Sequence, residues 1–483
     1  MRKNYLMKSK SGKKIIFSGK EIINRKALEL IILILIYLVP SISADAENEM
    51  LYSFVCPFFT DFDSISEEEF IDIWTNGVPI AGKVSSIAMT EETFGRLSIK
   101  FGNVHSALIK IRSQKEIAER LERIKSTECA IVPTNDLQPN WKRISIGEQA
   151  SAPWDQDYDV HRDLLAVSGE YSELDFDPEK ITTVLLTGTT ALARTTAYKM
   201  IEKGITYPGE KIRDIFENSE IRHISNESSF WSVCPTPILA SNGKMQFCTP
   251  ASFIDLFDYL GVNVVELTGN HLRDYDWPPL SETFQILKDH HIRYYGAGKN
   301  KEDAAEVLFI EESGNKFAFL GCNIAGPEHV FADENLPGVN RCDMDTLEKQ
   351  VSELHAAGYL VIVTLQYYEA YSRTPTEQQE KDFQRISDAG AVVVSGSQAH
   401  FSQTMKPFDD RFIHYGLGNL FFDQMDRPVV GTREEFLDRY VFYDGKLIQV
   451  ELITALLEDY AQPVPMKADE RQKFLKEIFS YVK

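Results

Sequence analysis

The chain has 483 residues, which corresponds to roughly two to four domains and excludes a peptide or a small disulfide scaffold. Hydrophobic residues make up 43% and charged residues 25%, an ordinary globular composition that excludes a largely disordered protein. The formal net charge of -21 argues against a sequence-independent nucleic-acid binder, because such proteins neutralise phosphates with a basic surface. We therefore expect no nucleic-acid partner.

The first 46 residues differ from the rest in charge. They hold nine Lys or Arg against three Asp or Glu, so the remainder of the chain carries a net charge of -27. An uninterrupted apolar run, 30–39, follows the basic residues, and Ala44-Asp45-Ala46 fits a cleavage site. This pattern predicts a signal peptide or an uncleaved membrane anchor over 1–46. Export would place the protein outside the cell or at its surface, in an oxidising compartment.

The six cysteines are an even number, as expected for an exported protein with disulfides. Fifteen pairings are possible. Proximity along the chain favours Cys234 with Cys248 and Cys322 with Cys342, and these two pairs leave Cys56 with Cys129. The alternative is buried free thiols, because cysteine also packs as a small hydrophobic residue.

Residues 47–150 predict a smaller α/β domain in which short apolar strands alternate with helices. The predicted strands are 51–58, 84–89, 106–111 and 130–133, and the predicted helices are 66–74, 91–101 and 114–124. Thr90 and Ser113 are predicted to cap the second and third helices. Residues 151–180 lack periodicity, and we interpret them as a linker.

Residues 181–483 predict a second α/β domain in which five apolar strands each end in a polar cluster. These strands are 183–186, 221–224, 262–267, 360–365 and 391–394. Ligands of α/β sheets bind outside the carboxyl ends of the strands, so this pattern indicates a site. Helices are predicted at 279–290, 376–388 and 469–481, and Asp444-Gly445 predicts a hairpin turn.

The most informative string is Gly269-Asn270-His271, with Asp274 one turn later. It places an amide oxygen and an imidazole on one loop after a strand, a combination suited to a divalent metal and an adjacent phosphate oxygen. The alternative is an asparagine in a turn beside a hydrogen-bonded surface histidine.

In order and spacing, the strand ends resemble the CapA family of poly-γ-glutamate capsule synthesis proteins, within the calcineurin-like metallophosphoesterase superfamily. The resemblance runs from about 183 to 423 and is carried by strings that include Ser225-Asn226-Glu227, 264–274, 294–298, 375–379, 388–391 and 414–423. It implies a β-sandwich flanked by helices, with a site at one rim. Residues 64–77 are similar to a segment of periplasmic phosphate-binding-type proteins, which implies that the N-terminal domain is a lobe of that type.

The chain departs from the family pattern at three positions where a metal ligand is expected. Thr189 stands where the family has Asp, Gln366 where it has His, and the Gly-His-x-His-like motif keeps only His400, with Ser397 and Gln398 before it. A two-metal site needs carboxylate and imidazole ligands. The replacements are polar, which favours retained binding of a neutral or carboxylate-bearing ligand over metal-dependent hydrolysis.

The resemblance implies the following roles for residues at the strand ends. Metal ligands would be Glu227, Asn270, His271 and His400, with His271 and Asp274 as the catalytic pair and Asp274 orienting His271. Ligand-binding residues would be Thr189, Asn226, Gln366, Glu369, Ser397 and Gln398. The cofactor would be a divalent metal (Mn, Fe or Zn), and a site without metal is the alternative.

The function implied by the resemblance is synthesis, retention or processing of an extracellular anionic polymer of the poly-γ-glutamate type, or of another cell-wall component. Two alternatives stay open. The first is an active metal-dependent phosphoesterase or amide hydrolase, and the second is a scaffold partner of a membrane synthase complex.

Overall fold

A computed structural model describes residues 49–102, 104, 106–123, 126–147, 151–168, 176–237 and 245–482. These described residues all belong to one compact unit. The predicted signal or anchor segment, 1–46, and part of the predicted linker, 169–175, lie outside them. Within the described ranges, no helix has the length and apolar character needed to cross a membrane.

The N-terminal region forms a mixed sheet covered by helices. Its elements are β1 Glu49–Pro57, β2 Ser64–Ile65, α1 Glu67–Ile71, β3 Ser86–Met89, α2 Glu91–Phe101, β4 Ile109–Ile111, α3 Gln114–Leu121, β5 Glu128–Pro133, β6 Trp141–Arg143, β7 Ser145–Ile146 and β8 Ala166–Ser168. The strand order is β4-β3-β5-β1-β6, with β8 also paired to β1 and β2 paired to β7. The side chains of Thr90 and Ser113 accept the N-cap hydrogen bonds of α2 and α3, as predicted.

Two further sheets make up the rest of the chain. The elements from 181 to 304 are β9 Ile181–Thr187, β10 Thr189–Thr190, α4 Arg194–Lys203, α5 Arg213–Glu217, β11 Ile221–Asn226, β12 Phe230–Trp231, β13 Thr249–Pro250, α6 Ile254–Leu260, β14 Val264–Glu266, α7 Trp277–Asp289, β15 Arg293–Tyr295, β16 Ala297–Gly298 and α8 Lys301–Ala304. The later elements are β17 Leu308–Glu312, β18 Asn315–Asn323, β19 Gly338–Val339, α9 Met344–Ala356, β20 Leu360–Gln366, α10 Glu377–Asp388, β21 Ala391–Ser397, β22 Met405–Pro407, β23 Phe412–His414, β24 Glu434–Tyr443, β25 Lys446–Glu458, β26 Gln462–Pro465 and α11 Ala468–Ser480.

One sheet has the order β15-β14-β11-β9-β24-β25-β26, and the other has the order β17-β18-β20-β21-β23-β22. Strands β9, β11, β14 and β15 are parallel, as are β18, β20, β21 and β23. All five predicted strands of this region are present, at the centres of the two sheets. Asp444 and Gly445 both have positive φ in the predicted hairpin turn between β24 and β25.

The two sheets pack face to face and carry helices on their outer faces. Val184 and Leu186 of β9 share one buried cluster with Ile362 of β20 and Val393 of β21. Helices α6 and α7 cover the outer face of the first sheet, and α9 and α10 cover the outer face of the second. The predicted β-sandwich flanked by helices is therefore confirmed.

All three favoured cysteine pairs form disulfides. The bond from Cys56 to Cys129 joins β1 to β5 within the N-terminal sheet. A disulfide that closes a loop typically stabilises a fold by about 2–4 kcal/mol. The pairing predicted from proximity is confirmed.

Candidate functional site

Strand ends from both sheets converge at one edge of the sandwich. Close backbone approach requires glycine at two of them: a Cβ atom on Gly188 would lie 2.4 Å from the carbonyl oxygen of Gly418, and one on Gly269 would lie 2.4 Å from Cα of Glu227. Side chains in these positions would push the loops apart. The two glycines therefore allow residues that are distant in sequence to share one site.

Five neutral residues, which we call the amide cluster, link the two sheets at this edge. Nε2 of Gln366 donates to Oδ1 of Asn270 at 3.3 Å and also to Oε1 of Gln398. The Ser397 hydroxyl donates to Oε1 of Gln366 at 3.0 Å, and the Gln398 backbone N–H donates to Oγ1 of Thr189 at 3.2 Å. Apart from Asn270, these residues are almost fully buried. The cluster is thus a pre-organised, uncharged hydrogen-bonding network that reaches solvent mainly at Asn270.

Three titratable residues, which we call the ionisable cluster, adjoin it. Nδ1 of His271 lies 2.7 Å from Oδ2 of Asp274, and Nε2 of His271 lies 3.6 Å from Oε1 of Glu227. Both carboxylate oxygens of Glu227 are buried and have no hydrogen-bond partner among the described residues. A buried carboxylate that has this ion pair but no hydrogen bond is costly, so it points to a group that the site is built to receive.

The imidazole of His271 is held between the two carboxylates. Burial opposes its protonation, but the hydrogen bond to Asp274 and the negative charges of Glu227 and Asp274 outweigh burial and raise its pKa above the usual value. Its ring also stacks on Phe247, with centroids 3.8 Å apart and planes 23° apart. The Phe247 backbone N–H donates to Oδ2 of Asp274 at 2.6 Å, which fixes that carboxylate.

His400 lies in the same edge but has a different partner. Its Nδ1 is 2.8 Å from Oδ1 of Asn419, and its ring lies 4.4 Å from that of Phe422. His400 and Gln398 both have positive φ, +53° and +75°, which is uncommon for residues with side chains. Such strain is typical of functional loops.

The two remaining predicted residues lie less centrally. Asn226 is buried at the end of β11, where its Nδ2 donates to the Ser228 carbonyl at 2.8 Å and its Oδ1 has no described partner. Glu369 is exposed and accepts a hydrogen bond from Tyr371 on its own loop. Asn226 is thus buried next to Glu227, its neighbour in sequence. Glu369 instead makes a contact within its own surface loop.

Residues 183–424, half of the chain, match the family described as Bacterial capsule synthesis protein PGA_cap. This segment contains every residue of the amide and ionisable clusters. The chain belongs to the PGA_cap family. The family resemblance of the strand-end motifs is therefore confirmed.

Two curated relatives share this segment. The capsule biosynthesis protein CapA of Bacillus anthracis is 30% identical over 219 residues, which cover 44% of this chain and 53% of the relative. The PGA biosynthesis protein CapA of Bacillus subtilis (strain 168) is 26% identical over 211 residues, which cover 44% of this chain and 54% of the relative. The chain thus spans about half the length of the curated relatives it matches.

Among solved structures, the NAD nucleotidase of Haemophilus influenzae is similar at 10% identity, with a TM-score of 0.36 and coverage of 62% of this chain and 56% of its own. A TM-score of this size carries no argument about function.

A metal in this PGA_cap site would need ligands from the ionisable cluster. Glu227 fits, because both its carboxylate oxygens are buried without a hydrogen-bond partner among the described residues, and Nε2 of His271 lies 3.6 Å from one of them. In the described part of the chain, however, no group of three or more His, Cys, Asp or Glu is arranged to hold a metal ion. Glu227 and His271 would hold any single cation bound here, and the described residues do not fit a two-metal centre.

An arginine held beside two aromatic rings adjoins the site, and its role was not predicted from the sequence. Arg194 forms an ion pair with Asp423, and its guanidinium lies 4.6 Å from the ring centroid of Phe247 and 5.4 Å from that of Phe422. We call these four residues the arginine wall. Its members come from three separate segments, at 194, 247 and 422–423, so no single local motif contains all of them. Two signals were available: Phe422 and Asp423 end the family string 414–423, and Arg194 is a basic residue seven positions after β9 in a chain with excess negative charge.

Cavities of about 500 and 450 Å³ lie away from this edge. The first is lined by residues that include Trp141 and Tyr359, and the second by residues that include Lys142 and Arg471. Both form where the N-terminal region packs on the sandwich. We assign the candidate site by the convergence of polar side chains at strand ends, because binding chemistry depends on those groups more than on volume.

Proposed function

We propose that this protein takes part in making, retaining or processing a bacterial capsule polymer, and that it does so by binding an anionic, amide-containing chain of the poly-γ-glutamate type. The PGA_cap match and the two CapA relatives support the polymer class. The observation that carries the binding role is the amide cluster. It places hydrogen-bonded amides where hydrolysis would need charged metal ligands.

The amide cluster is suited to binding for a physical reason. Amide and hydroxyl groups offer both donors and acceptors, so they can pair with the peptide-like groups of an amide-linked polymer without the cost of burying a charge. Their mutual hydrogen bonds hold them in place before a ligand arrives, which lowers the entropy lost on binding.

We also propose that the protein acts outside the cytoplasm, at the cell surface. Three disulfides are typical of proteins that fold in an oxidising compartment. The basic and apolar segment at 1–46 supports export as a cleaved signal or an anchor. Its direct partners would be the polymer itself, another wall component or a membrane synthase complex.

Calorimetric titration of the purified full-length protein with short γ-linked glutamate oligomers tests the binding role. We expect saturable binding that is unchanged by EDTA, and a loss of about tenfold or more in Gln366→Ala, because a buried hydrogen-bonding amide is removed. The matched control is Gln378→Ala, an exposed glutamine on α10. No binding in the wild-type protein, or binding that depends on Mn²⁺, would contradict the proposal.

The second candidate function is a metal-dependent phosphoesterase or amide hydrolase. The unpartnered carboxylate of Glu227, 3.6 Å from Nε2 of His271, favours it. Elemental analysis after incubation with Mn²⁺, Fe²⁺ and Zn²⁺ decides between the two. One tightly held ion per chain that is lost in His271→Ala would support hydrolysis. A metal-free protein that also binds no oligomer would leave a scaffold role in a synthase complex.

A further inference from the structure

Arg194 occupies a strained position at the mouth of the candidate site. It is the first residue of α4 and has a φ of +50°, in the left-handed region that residues with side chains rarely adopt. Strain of this kind persists only where neighbouring contacts hold it, and it is concentrated at functional sites.

Three neighbours hold the guanidinium in place. The buried carboxylate of Asp423 pairs with Nη2 through Oδ1, and its Oδ2 accepts the backbone N–H of Thr195 at 3.1 Å. The rings of Phe247 and Phe422 flank the guanidinium carbon at 4.6 and 5.4 Å. A cation over an aromatic face is attracted by the ring. Because the guanidinium is already held in place, it loses little conformational freedom when it binds a ligand.

The guanidinium still has donors to offer. An arginine carries five N–H groups, and the contacts with Asp423 and, weakly, with the Met245 sulfur at 3.8 Å use one hydrogen on each of Nη2 and Nη1. The Arg194 side chain is 24% exposed, so part of it reaches solvent. A planar fork held in this way is suited to an anion.

The arginine wall is continuous with the predicted site. Phe247, which contacts Arg194, also stacks on His271 at 3.8 Å, and Phe422, which contacts Arg194, lies 4.4 Å from His400. Two rings thus join the guanidinium to both histidines. A ligand group bound by Arg194 would lie beside the ionisable and amide clusters.

We propose that Arg194 selects the ligand by binding its carboxylate groups, so that the site takes an amide-linked polycarboxylate with its amides on the amide cluster and a carboxylate on Arg194. This inference rests on the proposed function and specifies its ligand chemistry. The chain beyond residue 46 carries a net charge of -27, so a local cation is needed to hold an anion. A carboxylate fits better than a phosphoryl group, because the doubly charged phosphate would face Glu227 and Asp274.

Calorimetric titration of the full-length protein with a γ-linked glutamate hexamer tests the proposal, with Arg194→Gln and Arg194→Lys as variants. We expect affinity to fall about 10- to 100-fold in Arg194→Gln, and to fall also in Arg194→Lys, because lysine keeps the charge but loses the fork. The matched control is Arg213→Gln. Arg213 also pairs with a carboxylate, Glu217 at 2.7 Å, and lies over a ring, Tyr259 at 4.7 Å, but on α5 away from the site.

Two further probes identify the group that Arg194 binds. A hexamer whose carboxylates are converted to amides should bind wild-type protein about as weakly as the acidic hexamer binds Arg194→Gln. Inorganic phosphate at equal concentration should not displace the acidic hexamer. Displacement by phosphate, or equal binding of the acidic and amidated hexamers, would overturn the carboxylate assignment.

The outcomes separate this inference from the proposed function. If wild-type protein binds no hexamer, the proposed function itself fails. If wild-type and both Arg194 variants bind equally, the proposed function stands and the role of Arg194 is rejected. Circular dichroism of each variant checks folding, and if Arg194→Gln does not fold, Arg194→Lys with wild-type affinity is sufficient to reject the role.

Discussion

The amide cluster and the ionisable cluster lie side by side at one edge of the sandwich, yet they use their hydrogen-bonding capacity differently. In the amide cluster, Gln366 donates hydrogen bonds to Asn270 and Gln398 and accepts one from Ser397. In the ionisable cluster, both carboxylate oxygens of Glu227 are buried without a described partner. In the first cluster the hydrogen bonds of Gln366 hold the other amides in place to meet a ligand, whereas in the second the Glu227 carboxylate itself keeps capacity for a cation or a ligand group.

The support beneath the two clusters differs as well. Glu266, at the end of β14, is buried, and burial raises the pKa of its carboxyl group although hydrogen bonds from nearby hydroxyls, including that of Ser397, oppose the rise. A buried carboxyl group whose charged form is disfavoured thus lies against Ser397 of the amide cluster. The imidazole of His271 is instead stabilised in its charged form. The environment of Glu266 thus disfavours its charge, whereas the environment of His271 favours its charge.

We expect the largest change, in metal content, when residues of the amide cluster are replaced by ionisable ones. The triple variant Thr189→Asp, Gln366→His and Gln398→His restores the ligand types that the family resemblance implies at those positions. We expect metal content to rise from near zero to about one tightly held Mn²⁺ or Zn²⁺ per chain, because carboxylate and imidazole ligands replace neutral ones. Elemental analysis measures it. The same triple variant with His271→Ala is the control, and unchanged metal content would show that the clusters do not share a centre.

Breaking the amide cluster should cost stability. Gln366→Leu leaves Ser397, Gln398 and Asn270 without their shared partner, and each buried unpaired group costs about 1–3 kcal/mol. We expect the free energy of unfolding in urea to fall by about 2–4 kcal/mol. The exposed control, Gln378→Leu, should change it by about 0.5 kcal/mol or less. A stable Gln366→Leu protein would mean that the amides bond to water.

Acid should destabilise the strand that supports both clusters. His223 on β11 is buried between the sheets, with Nε2 2.9 Å from the Tyr295 hydroxyl, and burial lowers its pKa from 6.5 to about 3. Below pH 6.5 the unfolded chain binds a proton that the folded protein does not. Stability is therefore lost as the pH falls from 6.5 to about 3, by about 1.4 kcal/mol per pH unit from this group.

Urea denaturation of wild-type and His223→Gln protein across this pH range measures the slope. The wild-type slope should be the steeper one, because glutamine does not titrate. His355→Gln, at an exposed histidine, should leave the slope unchanged. Equal slopes in wild-type and His223→Gln protein would rule out a neutral buried His223.

The smallest expected effect separates the charge of Asp274 from its position. Asp274→Asn keeps an oxygen near Nδ1 of His271 but removes the negative charge, so the pKa of His271 should fall. A histidine NMR titration measures this shift. Asp276→Asn is the control, because the carboxylate of Asp276 pairs with Arg273 instead. An unchanged His271 pKa in Asp274→Asn would assign the rise to Glu227 alone.

Much of the local structure could be predicted because it depends on neighbours in sequence. Helix α2 begins and ends at the predicted residues, since Thr90 caps it and apolar residues repeat at helical spacing. The strands β17 and β18, at 308–312 and 315–323, were not predicted. Strand β17 is short and ends in two exposed glutamates, so it lacks a strong apolar pattern.

The polar strand ends, the two cysteine pairs that lie close in the chain and the family motifs could be predicted from the sequence alone, because each depends on a short-range pattern or on matching strings. Which of the polar groups meet depends on the tertiary packing. Gln366 contacts Asn270 across 96 residues, and Arg194 contacts Asp423 across 229. Such contacts depend on the order and packing of strands in two sheets, and that order places the arginine wall, which no local pattern predicts, beside the predicted site.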